Sequence, residues 1–165
     1  MFEVLVFVYE HYWRGDACPE LQQLGRKLSA HGFEPEEIHD ALVWLDGLHL
    51  AAQSARVVDG ASAEAAAPSI QPVQSATSLR VYSVAEQDHL GAQCLGFVSF
   101  LESSGVLPAA MREIVMDRAM AAPGDPVSLD DLKIIVLMVY WSFGEEPDAL
   151  VLDELCDPAD GRLPH

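Results

Sequence analysis

The stretch that most restricts the fold runs from Ser128 to Phe143, Ser-Leu-Asp-Asp-Leu-Lys-Ile-Ile-Val-Leu-Met-Val-Tyr-Trp-Ser-Phe. Ser128 is placed to accept a hydrogen bond from a free amide of a first helical turn, and Asp130 and Asp131 sit where the helix dipole is positive. The eight apolar residues from Ile134 to Trp141 then leave no polar side for about two turns. Such a helix needs cover from several neighbours at once. At about 1.5 Å per residue it reaches roughly 22 Å, short of the ~30 Å of a membrane core, so the spacing predicts a buried helix and not a transmembrane one.

Half of the 165 residues are hydrophobic, enough for a substantial core, and a mainly α fold is expected. The N-terminus, Met1-Phe2-Glu3-Val4-Leu5, has no basic lead-in and no small-residue cleavage site, so a cytoplasmic location is expected. Cys18, Cys94 and Cys156 form neither an even disulfide set nor a metal-binding pair, and reduced, mostly buried thiols are the simplest reading. The formal charge is −17, and the acids are spread along the chain. Residues 1–53 carry nine acids against three bases, 54–78 two against one, 79–144 eight against four, and 145–165 seven against one. A field of that sign repels nucleic acid unless a local basic stripe overcomes it.

In chain order, Phe2 to Trp13 has helical spacing over about twelve residues, longer than an ordinary strand. Leu21, Leu24 and Leu28 form the stripe of a second helix over Glu20 to Ala30, which Gly32 closes with a left-handed cap. Pro35, Glu36 and Glu37 open a third helix, with Ile38, Ala41, Leu42, Leu45 and Leu48 on its buried side. Helices two and three make a helix-turn-helix, a common frame for entering a major groove. Ser29 to Ala55 has no Lys or Arg, however, while the third helix carries Glu36, Glu37, Asp40 and Asp46. A structural hairpin or a protein-binding face is the better reading.

Arg56-Val57-Val58 and Leu79-Arg80-Val81-Tyr82 read as short strands around Asp59 to Ser78, a mobile low-complexity tip. The expectation is an N-terminal three-helix, winged-helix-like unit (1–53) and a two-stranded hairpin (54–83). A C-terminal helical unit built on the buried helix (84–144) and an acidic segment (145–165) follow. Ser83 and Glu86 form a capping box that opens a long helix with Leu90, Cys94, Phe97, Val98 and Leu101 inward. Gly91 and Gly96 within it predict close approach of another helix. Pro108 starts the next helix, with Met111, Ile114, Val115 and Ala119 inward. Beyond Gly144, Val151, Leu152 and Leu155 suggest a short docking helix among solvated carboxylates.

Several stretches together resemble the bacterial Smg family. They are Met-Phe-Glu-Val-Leu at the start, Gly32-Phe33 followed by Ile38, Ala41, Leu42, Trp44 and Leu45, then Arg80-Val81-Tyr82, Gly96-Phe97 and Phe100-Leu101-Glu102. Leu129-Asp130-Asp131-Leu132-Lys133 with Val136-Leu137-Met138-Val139 is the strongest of them. The resemblance implies a small, cytoplasmic, mainly helical bacterial protein, and it carries over no catalytic residues.

Chemistry-bearing patterns are sparse. No His stands four residues from another His or from a Cys, so a zinc site would need distant parts of the chain. His39 beside Asp40 reads as solvated surface, Ser103-Ser104-Gly105 as a helix end, and Asp130-Asp131 as capping. Trp13, Trp44 and Trp141 read as core. There is no phosphate-binding glycine loop. Three functions compete. The leading one is a non-enzymatic adaptor or regulator, without cofactor, that binds a basic protein or ribonucleoprotein partner. Its acidic surface would be Glu145, Glu146, Asp148, Asp153 and Glu154, or the helical hairpin. The second is a winged-helix-like nucleic-acid-associated protein using Arg26, Lys27, Arg56 and Arg80. The third is a small-molecule binder or enzyme with a pocket between the helical groups.

Overall fold

A computed structural model describes residues 1–12, 20–61, 80–145 and 147. They form six helices: α1 (Phe2–Tyr12), α2 (Leu21–Ala30), α3 (Pro35–Ala61), α4 (Val84–Ser103), α5 (Ala109–Met120) and α6 (Leu129–Phe143). The mainly α expectation holds.

α6 is the centre. Ser128 accepts from the Asp131 amide at 3.1 Å, and Gly144, at φ +70°, closes the other end in the left-handed conformation that a side chain would strain. Between those caps every residue from Ile135 to Tyr140 is buried. The cover comes from α1, α3, α4 and α5, all of which pack against this helix. The Tyr140 hydroxyl donates to the Val106 carbonyl, so the one polar atom in the run is satisfied. Burial, followed by the nearby Glu145 carboxylate, pushes the Tyr140 phenol above its ordinary pKa.

α1 contributes Val4, Leu5 and Val8, all fully buried. α2 lies against α3 and ends in a two-bond cap: the Gly32 amide donates to Ser29 O and the Phe33 amide to Leu28 O. Gly32 has φ +92°, as the predicted cap requires. Trp44 is buried and donates its indole N–H to Arg118 O at 3.0 Å, tying α3 to α5. Trp141 ties α6 to the end of α1 in the same manner, through Tyr12 O at 3.4 Å. The Trp44 indole serves packing, as its spacing indicated, whereas Trp141 is half-buried. One continuous cluster of buried apolar side chains includes members of all six helices.

Two sequence expectations are corrected. Among the described residues there is no strand, and Arg56-Val57-Val58 continues α3 instead of opening a hairpin. The helix persists because Ala52 stays buried and Arg56 donates to Ser142 O at 2.9 Å, which holds this last part of α3 beside the end of α6. Those tertiary anchors outweigh the β preference of two valines. Arg80, Val81 and Tyr82 have no regular secondary structure and pair with no strand among the described residues; Leu79 and residues 62–78 lie outside the described residues. The winged-helix-like hairpin is therefore withdrawn. The predicted segment around Val151, Leu152 and Leu155 and the residues Trp13, Cys18 and Cys156 also lie outside the described residues.

The second correction concerns Gly91 and Gly96. A methyl group at either would meet nothing within 4 Å, so close helix approach is not their reason. Gly91 instead adopts φ +68° and ψ 171°, which breaks α4 into two helical pieces. The break lets the His89 carbonyl accept from the Val127 amide at 2.8 Å, while the Cys94 thiol donates to Val127 O at 3.4 Å. The loop before α6 is thereby stitched onto α4. Cys94 is buried, and that burial, followed by the Asp131 charge, raises its thiol pKa. It is a core thiol.

Candidate functional site

The features with functional content gather around α3 and the α4–α5 pair. On α3 the inward residues Ile38, Ala41, Trp44, Leu45, Leu48 and Ala52 repeat at three and four, which turns residues 39, 43, 46 and 50 outward. Val43 is 59% exposed and Leu50 57%, two apolar side chains two turns apart on the outward side of the helix. Glu36, Asp40 and Asp46 are exposed around them. The outer ridge of α3 is therefore apolar at its crest and acidic at its flanks.

Two clefts run beside this ridge. One, of about 430 Å³, is lined by His39, Asp40, Val43 and Trp44 of α3, with Arg118 and residues at the end of α5 across from them. Arg118 crosses α3 at Gly47, where an added methyl carbon would come within 1.9 Å of its Nη1. A glycine is needed there for the guanidinium to lie against the helix while it pairs with Asp117 at 2.7 Å. The other cleft, of about 400 Å³, lies between the start of α2, α3 and the end of α6, with Leu21, Leu45, Leu48 and Trp141 as its apolar lining and Glu20 and Asp46 as its charges.

The cations proposed from sequence are not brought together. Arg26 and Lys27 are exposed on α2, with the Lys27 ammonium 5.3 Å from the Tyr12 ring centre. Arg56 faces the C-terminal end of α6, where a cation suits the helix dipole, and lies over Phe143. Arg80 packs on α4 and α5: it bonds Glu86 at 2.9 Å and both oxygens of Glu113 at 2.9 and 3.0 Å. Its Nη1 is buried with no hydrogen-bond partner among the described residues. Of the acidic tail residues, Glu145 is exposed, whereas Glu146, Asp148, Asp153 and Glu154 lie outside the described residues.

Sequence reasoning missed Arg112. Its side chain is only 4% exposed, and it pairs with Glu102 of α4 and with Glu113 at 2.8 Å. The signal was present: Arg112 stands three, four and seven residues before Val115, Met116 and Ala119, all buried, so it occupies a core register position. Glu113 serves both guanidiniums, and the chain 80–82, α4 and α5 are joined through two arginines and three carboxylates. Hydrogen bonds from Arg80 and then the Ser83 amide hold Glu86 below the ordinary carboxylate pKa. Burial by itself would raise Glu113, but the bonds from Arg80 and Arg112 outweigh it and leave that group lowered too. A lowered folded-state pKa stabilises the fold above the unfolded value of about 4.3 and is lost as pH falls through the folded one. Glu86→Gln, which weakens both the capping box and the Arg80 pair, is expected to flatten the acid limb of the stability-versus-pH curve below about pH 4.5. Urea titrations at a series of pH values read this directly.

Among the described residues there is no group of three or more His, Cys, Asp or Glu able to hold a metal ion, and no helix is long and apolar enough to cross a membrane. His39 and Asp40 are both exposed and line the larger cleft.

The family model described as "Protein of unknown function (DUF494)" matches residues 1–165. The chain is 61% identical over its full length to "Protein Smg homolog" of Leptothrix cholodnii, covering all of that relative as well. The chain belongs to the Smg family. A second Smg homolog, from Methylibium petroleiphilum, is also 61% identical, and that of Bordetella pertussis is 47% identical, each over the whole of both chains. No solved structure matches. The resemblance read from residues such as Leu129 to Lys133 is thus confirmed, and it places this Smg chain in a bacterial family whose biochemical function is unknown.

Proposed function

We propose that this Smg protein is a non-catalytic cytoplasmic adaptor that binds a basic protein, alone or within a ribonucleoprotein, through the outer ridge of α3. The observation behind this reading is the exposure of Val43 and Leu50 on a helix flanked by carboxylates, in a stretch from Ser29 to Ala55 with no Lys or Arg. Exposed apolar side chains ringed by polar ones are the usual makeup of a protein-binding surface. The −17 charge adds long-range attraction for a cationic partner and repels nucleic acid. The nucleic-acid alternative draws no comparable support, because Arg56 and Arg80 are engaged within the fold and lie on different elements from Arg26 and Lys27.

A photoreactive residue at position 50, activated in growing cells, is expected to join the chain to a protein of basic isoelectric point. The same residue at exposed Gln93 on α4 is expected to capture much less of it. Asp40→Lys with Asp46→Lys should abolish the product. Equal yields at positions 50 and 93, or indifference to the charge reversal, would contradict the reading.

A further inference from the structure

The smaller cleft beside α3 has an unusual combination of walls. Leu45 and Leu48 are buried, Leu21 and Trp141 are half-buried, and together they make an apolar lining; Glu20 and Asp46, both exposed, are its acidic groups, His49 and Ser142 complete it, and among the described residues no Lys or Arg lines it. A volume of about 400 Å³ is at the small end of ligand sites, suited to one long side chain and not to a large cofactor. The Trp141 indole in this lining is held by the bond from its N–H to Tyr12 O.

We propose that this cleft is the anchor pocket for one arginine side chain of the partner. Arginine alone has the three features the walls ask for. Its methylene stem covers leucine surface, its planar head stacks on an indole, and its fan of donors serves two carboxylates at once. A lysine ammonium would satisfy the charge but not the stacking plane, and an acidic or phosphorylated side chain would face two like charges. The assignment rests on the adaptor reading for its biological occupant; the chemistry of the pocket stands apart from it. It also supplies a physical reason for the partner to be basic, namely that a desolvated arginine in a central pocket is a frequent source of interface energy.

The test uses the full chain labelled with nitrogen-15 and N-acetyl-arginine amide as the probe, with N-acetyl-citrulline amide as the neutral isostere. The Trp141 indole resonance is assigned by its loss in Trp141→Phe. Saturable movement of that resonance with the arginine probe is expected, and citrulline should leave it in place. Glu20→Gln with Asp46→Asn should raise the half-saturation concentration by about fivefold or more, since both carboxylates are partly screened by water. Both substitutions are at exposed positions, and Asp46→Asn alone provides the same readout at smaller size if the pair disturbs the spectrum. No saturable movement, an equal response to citrulline, or an unchanged response in the double variant overturns the pocket. A chain that crosslinks to a basic protein through position 50 yet fails this titration keeps the adaptor reading and loses the pocket. The reverse outcome keeps the pocket and loses the adaptor reading.

Discussion

Ile135→Ala is expected to lower the free energy of unfolding by about 2–5 kcal/mol, the cost of emptying a fully enclosed site that cannot collapse. Ile135 is 0% exposed in the middle of α6, where α1, α3, α4 and α5 converge on the same helix. A void there is bordered by several rigid elements, and none can move inward without opening its contact with another. Each kcal/mol corresponds to about 2–4 °C in Tm for a chain of this length. Val43→Ala, on the solvent side of α3 at 59% exposure, is the matched control and should change stability by no more than about 0.5 kcal/mol. Urea unfolding gives both values from the shift in midpoint at constant slope. A loss below 1 kcal/mol at position 135 would mean that α6 is not the common support of the other helices.

The second large effect belongs to Arg112. Replacing it with methionine keeps most of the volume but leaves Glu102 without its cation and Glu113 with Arg80 alone. The expected loss is about 3 kcal/mol. The figure is the lower end for a broken buried pair, because Glu102 and Glu113 retain 33% and 50% side-chain exposure and turn partly to water. The cost lies in the stranded carboxylates, so Arg112→Met combined with Glu102→Gln should recover part of it. The two changes are then non-additive, with the double variant more stable than the sum of the singles. Arg112→Lys should restore only a fraction, since one ammonium does not reproduce the fork that spans Glu102 and Glu113. Strict additivity would show that the three groups act independently and that the charge is held by packing alone.

What the sequence revealed followed directly from strong local physics. The α6 cap at Ser128, the capping box at Ser83 and Glu86, and the left-handed glycine at position 32 are each decided within one turn of chain, and each stands where the residues indicated. The errors arose where distant contacts decide. Arg56-Val57-Val58 has the composition of a strand, and only the bond to Ser142, 86 residues away in sequence, shows why it remains helical. Gly91 was legible as a weak point but not as a break, because the amide of Val127 that the break accommodates lies 36 positions on. Arg112 was hidden by its charge: periodicity placed it inside, composition placed it outside, and the resolving partner, Glu102, sits on another helix.

The candidate site was half legible. The absence of cations from Ser29 to Ala55 and the acids on the third helix pointed away from nucleic acid and toward a structural hairpin or a protein-binding face. The exposed pair Val43 and Leu50 did not stand out, since apolar residues on an amphipathic helix are ordinarily core. Nor does a linear pattern reveal that Trp141, at the end of α6, lines one cleft with Glu20 and Asp46.

Native-state hydrogen exchange across the whole chain tests most directly the place of α6 as the buried central helix. The amides of Ile135 to Tyr140 should exchange last, through global unfolding only, and their opening free energy should fall by the full urea-measured loss in Ile135→Ala. Exchange of those amides through a cheaper local opening, or before the amides of α2, would contradict it.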